Sequence, residues 1–116
     1  MADTPAPEFP DNIAIRDYCG AVRKILHQYA AELDMAAAEL EAALGESRGT
    51  TGMLGIDSRV RARLVARHMK DSAEALRASS AGVIRTYGSF RKHFMPELEA
   101  ARKGRPVKPR FEFKPE

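Results

Sequence analysis

Apolar side chains return every three or four residues through most of this chain. Between residues 12 and 45 they fall at Ile15, Tyr18, Val22, Ile25, Leu26, Tyr29, Leu33, Ala37, Leu40 and Leu44, steps that line up one face of an α-helix. Several recur at eleven residues: Ile15, Leu26 and Ala37; Tyr18, Tyr29 and Leu40; Val22, Leu33 and Leu44. That period is about 3.67 residues per turn, so a nearly straight stripe with a slight right-handed drift is expected. Asp11 or Asn12 in "PDN" supplies the N-cap of this helix. Gly45, Gly49, Gly52 and Gly55 then interrupt the pattern, which predicts a connection over 46–57.

A second stripe follows at Leu64, Val65, Met69, Ala73, Leu76, Ser80, Val83, Tyr87, Phe90 and Phe94. It predicts a helix over 58–94 capped by Asp57 or Ser58. Pro96 stops it and opens a short helix over 96–103, with Gly104 as the terminator. Residues 1–10 read as a flexible, proline-containing lead and 105–116 as an extended basic tail with three prolines. The two main helices have similar lengths, roughly 50–55 Å each at 1.5 Å per residue. The predicted fold is therefore all-α: an antiparallel helical hairpin over 11–104, folded about residue 51.

Composition adds a reason for association. A chain of 116 residues is one domain with a modest core. Of its 44% hydrophobic content much is Ala, with no Trp and only eight Phe plus Tyr, so large core-filling side chains are scarce. Small residues also extend around more than one side of each helix, at Ala30, Ala31, Ala36, Ala37 and Ala38 and again at Ala73, Ala78, Ser80, Ala81 and Gly82. They permit a second close helix contact, and a homodimeric four-helix bundle is the expected assembly.

Charge is unevenly spread. The formal total is only +3, but residues 11–47 carry seven acids against three bases and residues 58–94 nine bases against two acids. Folding the hairpin sets Glu32, Asp34, Glu39, Glu41 and Glu46 beside Arg59, Arg61, Arg63, Arg67 and Lys70. Pairing across the seam would select antiparallel register. The same bases admit another reading, because Arg59, Arg63, Arg67 and Lys70 follow i, i+4, i+8 and i+11 on one side of a helix. Such a stripe can track a phosphate backbone, so nucleic acid stands as an alternative partner.

Other chemistry has little support. The glycine-rich connection lacks the Lys of a Walker loop and the strand of a dinucleotide-binding turn. His27, His68 and His93 share no ligand spacing with each other or with Cys19, so no metal, no other cofactor and no small-molecule substrate is indicated. In "FRKHF" the Phe90 to Phe94 step is core spacing, although bases beside aromatics also suit single strands. No paired carboxylates or nucleophile with its base emerge, and an enzyme is not expected. Cys19 is the lone cysteine, the N-terminus "MADTPAPEFP" lacks signal-peptide features, and no apolar run is long enough to span a bilayer, so the expected compartment is the cytoplasm. Met53, Leu54 and Ile56 either fold back over the hairpin end or dock into a partner. In the tail, Phe111 and Phe113 of "FEF" suit strand addition to a partner, while "PVKPR" has the PxxP form and a disordered tail remains the alternative.

In outline, a two-helix hairpin of this size with a Gly-containing connection resembles the small secreted WXG100 class. That family's Trp-x-Gly turn is missing here, since the chain has no Trp, and no residue role is carried across. The functional expectation is a non-enzymatic scaffold or adaptor acting through self-association and protein partners. Two alternatives accompany it: an accessory nucleic-acid-binding protein using Arg59, Arg63, Arg67 and Lys70, and a WXG100-like export substrate.

Overall fold

A computed structural model of the protein describes residues 6–46, 55–104 and 110–116, the side chains of 55–57 excepted. It contains three helices: α1 (Asn12–Glu46), α2 (Gly55–His93) and α3 (Met95–Arg102). The two long helices pack against each other as an antiparallel hairpin. Two ion pairs show the direction: Arg77 binds Asp34, and Lys70 Nζ lies 3.3 Å from Glu41 Oε1. Seven residues forward on α1 is thus seven residues backward on α2.

Local chemistry accounts for the helix ends. Asp11 caps α1, its Oδ1 accepting a 2.8 Å hydrogen bond from the Ala14 amide, the N3 donor that helix geometry leaves unpaired. Arg91, Lys92 and His93 occupy the last turn of α2, where the helix dipole favours cations. Pro96 sits in the first turn of α3, a position where its missing N–H costs nothing. Helical bonds nevertheless continue across the junction, from the Phe94 amide to Phe90 O and from the Leu98 amide to Phe94 O. Gly104 ends α3 with φ of +80°, a left-handed conformation that L side chains disfavour. The restart of α2 differs from expectation: Gly55, Ile56 and Asp57, assigned by pattern to the connection, belong to the helix.

The chain forms two compact units, one spanning Lys24–Ala81 and the other combining residues up to Arg23 with those from Gly82 onward. In the first, the seam positions are Leu26, Ala30, Leu33, Ala37, Leu40 and Leu44 on α1 and Ala62, Ala66, Met69, Ala73, Leu76 and Ser80 on α2. Their steps alternate four and three, a seven-residue repeat. The eleven-residue recurrence is accordingly corrected here: Tyr18 and Tyr29, placed by it on the inner face, are exposed. Leu64, Val65 and Ile25 are also outside, although the pattern placed them in the stripe.

The reason is the identity of the residues at closest approach. Every fully buried side chain of this unit is Ala or Ser: Ala30, Ala37, Ala62, Ala66, Ala73 and Ser80. Small side chains let two helices pack closely, and the larger ones are displaced to the flanks, half-buried or in solvent. The hydrophobicity pattern finds most of the contact line, but it gives Ala little weight and so misses Ala30, Ala62 and Ala66 and adds bulky flank residues.

Close packing sets the first prediction. Ala73→Leu forces extra volume into a fully buried position and should lower stability by about 1–3 kcal/mol. Ala78→Leu, exposed on the same helix, should change it by no more than about 0.5 kcal/mol. Urea denaturation of both variants checks the contrast.

Candidate interaction surfaces

Three surfaces carry the residues with functional potential. The first is apolar. On the helix pair of Lys24–Ala81, Ile25, Tyr29, Leu64 and Val65 are each about half exposed, at 47%, 56%, 53% and 50%. Helical periodicity places Ile25, Tyr29, Ala36 and Ala43 along one flank of the α1 seam and Val65, Ser72 and Ser79 along one flank of the α2 seam. The Asp34–Arg77 and Glu41–Lys70 pairs occupy the opposite flank of both helices. One side of the hairpin is therefore ionic and the other apolar or small.

The second surface is the basic stripe. Arg59, Arg63, Arg67 and Lys70 are all exposed. Lys70 alone of the four is taken up by an acid, Glu41; among the described residues no carboxylate lies within ion-pair distance of Arg59, Arg63 or Arg67. Arg63 continues the seven-residue ladder of Arg77 and Lys70, but the acids Asp34 and Glu41 have no acidic successor at position 48, which is Arg. The stem of Arg59 runs beside Gly45, where an added Cβ would lie 3.9 Å from Arg59 Cγ. Arg59, Arg63 and Lys70 border an open groove with Glu41 and Glu46 on its other bank. Pairing across the seam thus accounts for Lys70 and for Arg77, a residue outside the sequence-level stripe. Arg77 is held strongly protonated, first by its hydrogen bond to Asp34 and further by Glu74.

The third surface is built by the tail, in the unit that holds both termini. Asn12 is fully buried, and its side-chain amide clamps the backbone of Lys114: Nδ2 donates to Lys114 O at 2.9 Å and Oδ1 accepts from the Lys114 amide at 2.6 Å. The Glu112 amide donates to Pro10 O at 2.7 Å, and Asp11 and Glu112 form an isolated parallel bridge. Lys114 Nζ lies 3.1 Å from Asp11 Oδ2, and Arg91 Nε lies 3.2 Å from Glu116 Oε1. Beneath these polar contacts Phe111 and Phe113 join Phe90 and Phe94, with ring centroids 5.0–6.3 Å apart. Phe9 packs edge-on against Tyr18 at 5.3 Å.

Phe111 and Phe113, singled out as partner contacts, therefore pack within their own chain and are half-buried there. The strand-like behaviour expected of "FEF" is directed at the start of α1. Asn12 is the residue that pattern reading missed: it was weighed only as a cap, a role Asp11 fills. Its signal was a second uncommitted polar residue directly after that cap. Met53 and Leu54 lie outside the described residues, as does the side chain of Ile56. No described helix is long and apolar enough to cross a membrane, and no cluster of His, Cys, Asp and Glu suited to a metal ion occurs among the described residues.

The features define a class: an all-α helical hairpin whose potential lies in its surfaces. The family model described as plasmid transfer protein TraA-like matches residues 2–115. The chain belongs to that family, and the match includes the docked tail. No curated protein and no solved structure matches the chain.

The tail contact is pH-dependent. The Ala14 amide, and then Lys114, hold the Asp11 carboxyl below its ordinary value of 3.8 against the opposing effect of burial. Asp11 holds the Lys114 ammonium above its ordinary 10.5. A depressed acid stabilises the folded state above its ordinary value and loses that contribution as pH falls through the folded one; a raised base does so in mirror image. The ionic contact should thus persist between about pH 4 and pH 10 and fail in acid first. Asn12→Ala removes the clamp at neutral pH and should cost about 1–3 kcal/mol, because it leaves the Lys114 backbone unsatisfied. Amide exchange at Glu112 and Lys114 reads both: faster exchange in the variant and in wild type below pH 4 is expected, with helix amides near Ala37 unchanged.

Proposed function

We propose that this protein is a non-enzymatic scaffold or adaptor in plasmid transfer, acting through self-association and protein–protein contacts. The observation that carries the reading is the side of the helix pair opposite the ion pairs, where Ile25, Tyr29 and Val65 stand in solvent along one flank. Large apolar residues exposed on a side otherwise lined by Ala and Ser suit a contact surface. Membership of the plasmid-transfer family supplies the process. The same reading assigns the protein to the cytoplasm, where its lone Cys19, a buried residue of α1, stays reduced.

A second reading rests on a separate observation. Arg59, Arg63 and Arg67 point outward without an acidic partner among the described residues, which suits contact with the phosphates of nucleic acid. Such contacts weaken steeply with salt.

Two variants separate these readings. Tyr29→Glu with Val65→Glu should retain wild-type helix content by circular dichroism and abolish transfer of a plasmid that depends on this protein. Arg63→Glu with Arg67→Glu should leave transfer largely intact. Retention of transfer by the first variant and its loss in the second, together with salt-sensitive binding of the wild type to mixed DNA, would reverse the order of the two.

A further inference from the structure

We infer that the occupant of the apolar side is a second copy of this chain, stacked with α1 of each copy against α2 of the other about a two-fold axis parallel to the helices. This rests on the reading of that side as the association surface, and it adds the partner and the geometry.

Size complementarity is the first argument. The intrachain ion pairs set which α1 residue is level with which α2 residue, and a two-fold axis along the helices preserves that level. Tyr29, Ala36 and Ala43 of one copy then meet Ser79, Ser72 and Val65 of the partner subunit, each to within one turn of helix. In the outer two pairs the larger residue faces a small one, Tyr29 opposite the partner's Ser79 and the partner's Val65 opposite Ala43. The middle pair joins two small residues, which permits close approach. Both rows repeat at seven residues, as the seam itself does.

Burial of the serines is the second argument. Ser72 Oγ donates to His68 O at 3.0 Å and Ser79 Oγ to Ala75 O at 2.9 Å. Their donors are satisfied inside α2, so covering them leaves no hydroxyl hydrogen unpaired. An otherwise hydrophilic row is thereby made compatible with a dry contact.

Charge selects between the two ways of stacking. Glu32 and Glu39 lie seven residues apart at the outer edge of the same side, and neither has an ion pair among the described residues. Placing α1 on the partner's α1 would bring two such acidic edges together. Placing α1 on the partner's α2 instead brings Glu39 within four residues, about 6 Å along the axis, of the level of the partner's His68. Like charges in apposition are penalised, so the second arrangement wins.

The test uses full-length chains in which Cys19→Ala removes the native thiol. One preparation carries Ala36→Cys, the other Ser72→Cys, and the two are mixed and oxidised. The mixed disulfide should predominate over both symmetric ones on a non-reducing gel, and light scattering of the wild type should give the mass of two chains. A predominant Ala36→Cys symmetric disulfide overturns the stacking, and a single-chain mass for the wild type overturns the second copy as occupant. A single-chain mass would also remove self-association from the proposed function, but not protein–protein contact, which loss of plasmid transfer in the Tyr29→Glu and Val65→Glu variant scores separately and would then assign to a different protein partner.

Discussion

Close approach of two helices through alanine is the constraint on which the rest depends. Ala30 and Ala37 on α1 and Ala62, Ala66 and Ala73 on α2 are the buried residues at the seam, joined by Ser80. A contact of this kind excludes bulk from its centre. Leu26, Leu33, Leu40 and Leu44 can lie only beside it, half-covered, and Ile25, Tyr29, Leu64 and Val65 are left exposed. The burial of apolar area that stabilises most folds is therefore incomplete within one chain.

The ionic flank complements that arrangement. Asp34–Arg77 and Glu41–Lys70 are exposed pairs, each contributing about 0–1 kcal/mol, so their value is chiefly in register. They occur at the same seven-residue step on both helices and therefore penalise sliding of one helix along the other. Because they occupy one side only, they also leave the other side free of charge at its centre. The hairpin is thus two-sided, with register-setting ion pairs on one side and exposed apolar and small residues on the other.

At the opposite functional extreme stands the tail. Residues 110–116 lack helical hydrogen bonds of their own, and their order comes from Asn12, Asp11, Pro10 and Arg91 together with a cluster of four phenylalanines. The docking joins the two ends of the chain at the cap of α1. A single side-chain amide satisfies both backbone groups of Lys114, which explains why an Asn is tolerated in full burial. The tail thus docks through one backbone bridge and one side-chain clamp within a single molecule.

Much of this architecture was legible beforehand. Helix spans, the Asp11 cap, the Pro96 interruption, the Gly104 stop and the hairpin all follow from short-range causes: periodicity, capping groups and backbone restrictions act within a few residues and leave their mark in the local sequence. The functional surfaces were less accessible. The exact contact line turned on Ala30, Ala62 and Ala66, residues of low hydrophobicity whose importance arises only when another helix approaches. Whether Arg63 or Arg77 found an acid depended on the level at which the helices cross. The destination of Phe111 and Phe113 depended on Asn12, a hundred residues away along the chain. Local chemistry determined the elements; proximity between distant segments decided their faces, because packing and pairing are properties of two surfaces at once.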